Sequence, residues 1–276
     1  MSQVSKIPLD VVVECPKNEI DMQYGLDTLK GTSDTMSIAA EAILRGRVPE
    51  KRTHKSDVRS ILKNRFTGSY GVNFTLEVRD SFLRRRLRQI GSDTFLEVLT
   101  YFIMEALYLD SEELSKPASE LVESLEGISD KLVERLKEPL TEMHKMNKYF
   151  GHDLRIGSKK KNNQKELFRL NETTSRNICE SIKTQDDEEF EVVIVRFHSI
   201  TGNGRFYIKS LKVIESFGFD SEIQGVRDQI RKAISKNLHE NNTLQPEDGT
   251  FMRIKAKKIA LPAGKVIKYL ITGIYL

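Results

Sequence analysis

The stretch from Phe190 to Ile208, FEVVIVRFHSITGNGRFYI, reads as two strands joined by a tight turn. Phe190–Phe197 and Arg205–Ile208 are rich in β-branched and aromatic residues. Between them, Thr201-Gly202-Asn203-Gly204 is a hairpin signal whose glycines supply positive φ. Working outward toward the C-terminus, a third strand is expected at Leu211–Phe217 and a helix at Ser221–Leu238. Two more strands, Thr250–Leu261 and Lys265–Tyr275, meet at Pro262-Ala263-Gly264. Such a run of strands with one packed helix predicts a small, strongly curved β-sheet or partly open barrel of the OB or SH3-like size.

Outward in the other direction, 151–165 includes Gly157-Ser158-Lys159-Lys160-Lys161-Asn162-Asn163-Gln164, almost without apolar residues. It reads as a basic linker, which makes 1–150 an N-terminal α+β domain and 166–276 a C-terminal β-rich domain. In the first domain Ile7–Glu14, with Val11, Val12 and Val13, predicts a strand buried on both faces. Glu19–Arg45 has helical spacing, weakened by Gly25 and Gly31 and stopped at Gly46. Tyr70–Val78 alternates apolar and polar residues, and a hairpin across Gly68 is the natural connection to Asp57–Phe66, although Val58, Ile61, Leu62 and Phe66 of that first run also fit helical spacing. From Ser81 to Phe150 the apolar spacing is helical; Ser92-Asp93 caps one helix and Pro139 opens the last. A short helix over Asn171–Lys183, capped by Asn171 or Thr173, follows the linker. The fold class is therefore α+β: a small sheet with several helices, then the curved β-rich domain.

Composition agrees with this division and excludes several classes. The chain has 276 residues, enough for about two domains. It is 38% hydrophobic and 30% charged, a globular balance and not a disordered one. Lys and Arg total 44 against 40 acidic residues, so any case for a polyanion partner rests on where the cations cluster. Only Cys15 and Cys179 occur, which excludes a disulfide framework. The start, MSQVSKIPLD, lacks the order of a signal peptide, and no apolar run reaches the ~20 residues of a membrane span. A cytoplasmic location without membrane contact is expected.

The chemistry-bearing patterns are largely absent. His54, His144, His152, His198 and His239 are isolated, with no His-x₃-His and no Cys-x₂-Cys, so no metal site is expected. Gly202-Asn203-Gly204-Arg205 lacks the remaining elements of a dinucleotide or P-loop signature, and no cofactor is expected. Gly68-Ser69-Tyr70 lacks the flanking glycines of a nucleophile elbow. Neither cysteine has a local partner that would activate it. No catalytic residue is assigned.

Basic clusters remain. Arg79, Arg84, Arg85, Arg86 and Arg88 lie in one short segment, where Arg84 and Arg88 share a helix face and Arg86 projects away. Lys159, Lys160, Lys161 and Lys165 lie in the linker, and Lys255, Lys257 and Lys258 on a C-terminal strand. Around the Gly202–Gly204 turn, Phe197, Phe206 and Tyr207 interleave with Arg196, Arg205 and Lys209, as in small barrels that stack bases and hold the backbone with cations. Strand alternation sends one of Phe206 and Tyr207 into the core. The candidate nucleic-acid contacts are Arg84, Arg85, Arg88, Lys159, Lys160, Lys161, Arg205, Phe206, Lys255, Lys257 and Lys258.

The layout also carries a resemblance. A short strand precedes a helix with Asp27 and Leu29 that continues through Ala39–Leu44, and Gly68-Ser69-Tyr70 leads into the alternating strand to Val78. With a strand-rich second half ending in Gly264–Tyr275, the chain resembles a two-part bacterial family of domains of unknown function, often encoded near anti-phage defence genes. The resemblance implies a bacterial accessory or sensing protein with a partner protein from the same operon. The function expected is a non-enzymatic binding component of a defence or regulatory complex, contacting nucleic acid or a partner protein. Two alternatives stand beside it: a divergent metal-dependent nuclease whose acids assemble only in the fold, and a structural subunit forming homo-oligomers through Leu121–Leu136.

Overall fold

A computed structural model describes residues 4–16, 19–65, 70–109, 111, 113–160, 163–199, 202–221 and 225–275, the side chains of 65, 159, 160, 163 and 164 excepted. The chain divides into two compact units, Met1–Cys179 and Glu180–Leu276. The class is α+β, as its hydrophobic patterning predicts.

In the first unit five antiparallel strands run in the order β2-β3-β1-β4-β5. They are β1 (Ser5–Glu14), β2 (Val58–Arg65), β3 (Tyr70–Val78), β4 (Asp153–Lys160) and β5 (Asn163–Leu170). β1 is central, which explains its β-branched run: Ile7, Leu9, Val11 and Val13 are buried in one core. They meet Met36 and Ile43 of α1 (Met22–Arg45) and Phe95, Leu99 and Phe102 of α3 (Ser92–Ala106). On the other face Lys6 and Lys63 pair with Glu77, and Arg155 with Asp10. Asp21 caps α1 by accepting from the Tyr24 N–H at 3.0 Å, and Gly46 closes it in the left-handed region. α1 is unbroken through Gly31 because α5 (Ser129–Met143) crosses there; a Cβ on Gly31 would stand 2.6 Å from the Pro139 carbonyl oxygen.

Two expectations are corrected in this unit. Pro139 lies inside α5 and opens no helix: Leu132, Leu136, Leu140 and Met143 keep one buried face on both sides of it. That burial offsets the hydrogen bond that proline removes. The expected linker 151–165 is instead most of a hairpin. β4 pairs with β1 and β5 with β4, so the chain divides after Cys179 and not at 150–165. Leu154, Ile156, Phe168 and Leu170 anchor the hairpin in the core, and the polar run that suggests a linker falls toward its tip. α7 (Glu172–Cys179) follows, capped as expected by Asn171, which accepts from the Thr174 N–H at 3.1 Å. The expected turn across Gly68 lies outside the described residues.

The second unit is a barrel. β7 (Glu188–Phe197), β8 (Gly204–Ile208), β9 (Val213–Phe219), β10 (Met252–Ala260) and β11 (Val266–Ile274) run in the order β11-β9-β8-β7-β10, and pairing of β10 with β11 closes the ring. A short β6 (Ile182–Lys183) joins the outer side of β10. β9 and β11 are parallel, every other pairing is antiparallel, and α8 (Asp228–Asn241) lies between the third and fourth barrel strands. This is the connectivity of a five-stranded Greek-key barrel of the OB class. Phe206, Phe217, Tyr269, Ile254 and Ile271 fill the interior with Ile234 of α8. Burial pushes the Tyr269 phenol up to about 12, with Glu215 and Glu188 adding to it. Gly202 takes the positive φ (70°) that the turn demands. Gly204 is already in strand, and is glycine because the Phe217 ring would stand 2.6 Å from its Cβ.

Candidate nucleic-acid interface

A bulge in β7 decides what the barrel shows to solvent. The register with β8 shifts between Ile194 and Arg196, and the Ile194 N–H donates to Asn237 Oδ1 of α8 at 2.9 Å. Ile194 remains in the core while Val195 and Arg196 are both exposed. Arg196 then stands directly opposite Arg205 of β8, and Arg205 opposite Ser216 of β9. The register thus brings two arginines to neighbouring positions on the outer face, side chains that suit an anion's oxygens.

The line is bordered by a pinned loop. Lys268 of β11 crosses Gly218, its Cε 3.1 Å from where a Cβ would stand, and its Nζ donates to Asn203 Oδ1 at 3.0 Å. Asn203 belongs to the loop between β7 and β8. Arg231 of α8 donates from Nη2 to the Ser199 carbonyl of that loop at 2.7 Å. Loop and basic line thus form one polar surface across β7, β8, β9 and β11. The sequence alone suggests Arg205 and sets Arg196 near the turn; it gives no local sign of Ser216, Gly218 or Lys268, which the parallel β9–β11 pairing brings in.

Phe206 is a correction. It is 0% exposed, and its ring lies 5.1 Å from Phe217 and nearly parallel to it. Alternation puts it inside, so it offers no face to a base. Tyr207 points outward but is buried beside Phe251. The aromatic interleaving expected at this turn is therefore internal packing.

Lys255, Lys257 and Lys258 also differ from expectation. Each faces a carboxylate: Lys255 lies 3.8 Å from Glu189, Lys257 3.1 Å from Asp220 and Lys258 2.6 Å from Glu188. Lys183 pairs with Asp220 as well. Partial burial pushes the Asp220 carboxyl up, but the two ammoniums outweigh it and hold it below its ordinary range. These lysines lie in ion pairs within the unit at its surface, with Lys255 and Glu189 both half exposed. Lys159 and Lys160 lie on β4 with side chains outside the described set, and Lys161 lies outside the described residues.

The arginines of the first unit form a second basic surface. Asp80 caps α2 (Ser81–Ile90) by accepting from the Leu83 N–H at 2.9 Å, and Leu83 and Leu87 are buried beneath it. Arg84 donates from Nε to the Asp80 carbonyl at 3.4 Å. Arg85 and Arg88 are exposed. Arg86, on the opposite flank from Arg84, brings Nη1 to 3.8 Å from a Cβ position on Gly46, at the negative end of the α1 dipole. Among the described residues no carboxylate forms an ion pair with Arg85, Arg86 or Arg88.

Other expected features fall in the interior. His144 is buried: its Nδ1 lies 2.7 Å from the Leu140 carbonyl and its Nε2 2.9 Å from Thr174 Oγ1. Burial lowers its pKa to about 4, against the raising effect of Leu140. In the neutral ring Nδ1–H donates to the Leu140 carbonyl, which only accepts, and Nε2 accepts, competing with the Asn171 carbonyl 2.9 Å from Thr174 Oγ1 for the single hydroxyl proton. Val122, Leu125, Leu132 and Leu136, in the stretch expected to mediate oligomerisation, are buried in the core of their own unit. Among the described residues no three His, Cys, Asp or Glu side chains are grouped to hold a metal ion, and no helix is long and apolar enough to cross a membrane. No family model, curated protein or solved structure matches the chain.

Proposed function

We propose that this chain is a non-enzymatic nucleic-acid-binding protein whose barrel takes the sugar–phosphate backbone of a single strand across β7, β8 and β9. The observation that carries the reading is the facing pair Arg196 and Arg205 in line with Ser216. Guanidiniums recognise phosphates by paired hydrogen bonds, and a hydroxyl beside them adds another donor. A barrel of this connectivity presents its second and third strands, with the adjoining loops, to oligonucleotides or oligosaccharides. Charge selects the former here. Because Phe206 and Tyr207 are buried, the barrel face contacts backbone more than bases, and weak sequence preference is expected. The place in a prokaryotic defence or regulatory complex and the partner protein encoded nearby follow from the resemblance of layout, the cytoplasmic location from the reading of the sequence, and all three belong to the same proposal.

The test is fluorescence anisotropy of the full chain with labelled single- and double-stranded oligonucleotides. Saturable binding of the single strand, tighter than the duplex and weakening steeply with salt, is the expected result. No binding at low salt to either form overturns the reading.

A further inference from the structure

We infer that the exposed face of α2 is a base-stacking platform for an unpaired nucleotide, with Phe82 as the stacking ring and Arg85 as the phosphate contact beside it. The barrel reading supplies only the identity of the polymer; the residues belong to the other unit. Phe82 is 54% exposed although it lies on a helix bearing Arg84, Arg85, Arg86 and Arg88 and no acidic residue. Phe82, Arg85 and Gln89 follow the i, i+3, i+7 spacing of one helix face, away from buried Leu83 and Leu87. Arg86 reaches toward Gly46 at the end of α1, which marks one flank of that face. Arg88 supplies a second exposed guanidinium next to Arg85.

Each group has a task that a single strand satisfies. A phenyl ring held in water among cations gains by covering its face with a base. The guanidiniums meet the phosphates on either side, and the Gln89 amide can donate and accept at a base edge. A duplex hides its base faces, so a ring presented from the side of a helix selects an unpaired base. The net positive charge of α2 disfavours basic partners and complements a polyanion.

The chain contains no tryptophan, so Phe82→Trp creates a single fluorescent reporter on this face. The probe is an oligothymidylate, compared with an abasic oligomer of equal phosphate count and with vesicles containing phosphatidylserine. The expected result is quenching by the oligothymidylate with little effect of the abasic oligomer. Phe82→Ala should weaken oligothymidylate binding about tenfold and change abasic binding less than twofold. Binding by anisotropy without quenching overturns the platform and leaves the barrel reading standing. Absence of any binding overturns both. Equal quenching by the abasic oligomer, or a blue shift with vesicles alone, also overturns the platform, assigning the face to bare phosphate or a lipid surface.

Discussion

The barrel carries two basic segments that look alike as sequence and behave oppositely as structure. Lys255, Lys257 and Lys258 on β10 each face a carboxylate, whereas Arg196 on β7 faces Arg205 on β8. β7 is a party to both arrangements. Its acidic beginning, with Glu188 and Glu189, lies along β10, and its basic end lies along β8 beyond the bulge. The difference teaches that what stands across from a cationic cluster in the fold, carboxylates beside the three lysines and a second arginine in register with Arg196, is not contained in its density along the chain.

The strongest way to break that comparison is to reverse the facing pair. Arg196→Glu with Arg205→Glu should weaken single-strand binding more than about a hundredfold, taking about 1.5 kcal/mol for each charge-assisted hydrogen bond removed and adding repulsion. Anisotropy reads the change, and an unchanged melting temperature shows that the barrel is intact.

A buried group satisfied without any charge extends the contrast to the first unit. The His144 pKa, lowered by burial to about 4 against an unfolded value near 6.5, makes stability complete above pH 6.5 and lost as pH falls through 4. The loss is about 3 kcal/mol, and urea unfolding at pH 7 and pH 4 measures it. In His144→Gln the difference between the two pH values should shrink by a similar amount.

The α2 arginines should behave like the barrel pair, with a smaller effect. Arg85→Ala with Arg88→Ala is expected to weaken oligonucleotide binding about tenfold while the fold survives, since exposed substitutions usually cost less than about 0.5 kcal/mol. Circular dichroism and anisotropy on the same sample separate the two outcomes. Smallest of all is Lys257→Ala. It should leave affinity unchanged and cost at most about 1 kcal/mol of stability, because Asp220 keeps Lys183. A clear drop in affinity there would erase the distinction between the two basic segments.

Much of the fold is legible locally because it is set by periodicity. Val72, Phe74, Leu76 and Val78 alternate, and they are the inward residues of β3. The turn at Gly202 and the cap at Asn171 are also readable, each being a local steric or hydrogen-bonding need. The 151–165 region misleads because its hairpin tip is polar, while the four anchors in the core are spread over a longer stretch. The site is less legible than the fold. That Arg205 faces outward and Phe206 inward depends on strand phase, and Lys268 reaches the site only through a parallel pairing remote in sequence. The carboxylates beside Lys255, Lys257 and Lys258 likewise come from distant segments, Glu188, Glu189 and Asp220, which no count of charges contains.

The most direct test of the central claim is the slope of log affinity against log salt for a labelled single strand, measured on the unmodified chain, on Arg196→Ala with Arg205→Ala, and on Lys255→Ala with Lys257→Ala and Lys258→Ala. Each phosphate contact on a single strand contributes about 0.7 to that slope. The arginine variant is expected to flatten it by about 1.4, and the lysine variant to reproduce the unmodified slope. An arginine variant with the unmodified slope, or a lysine variant with a flattened one, would contradict the assignment of the binding surface.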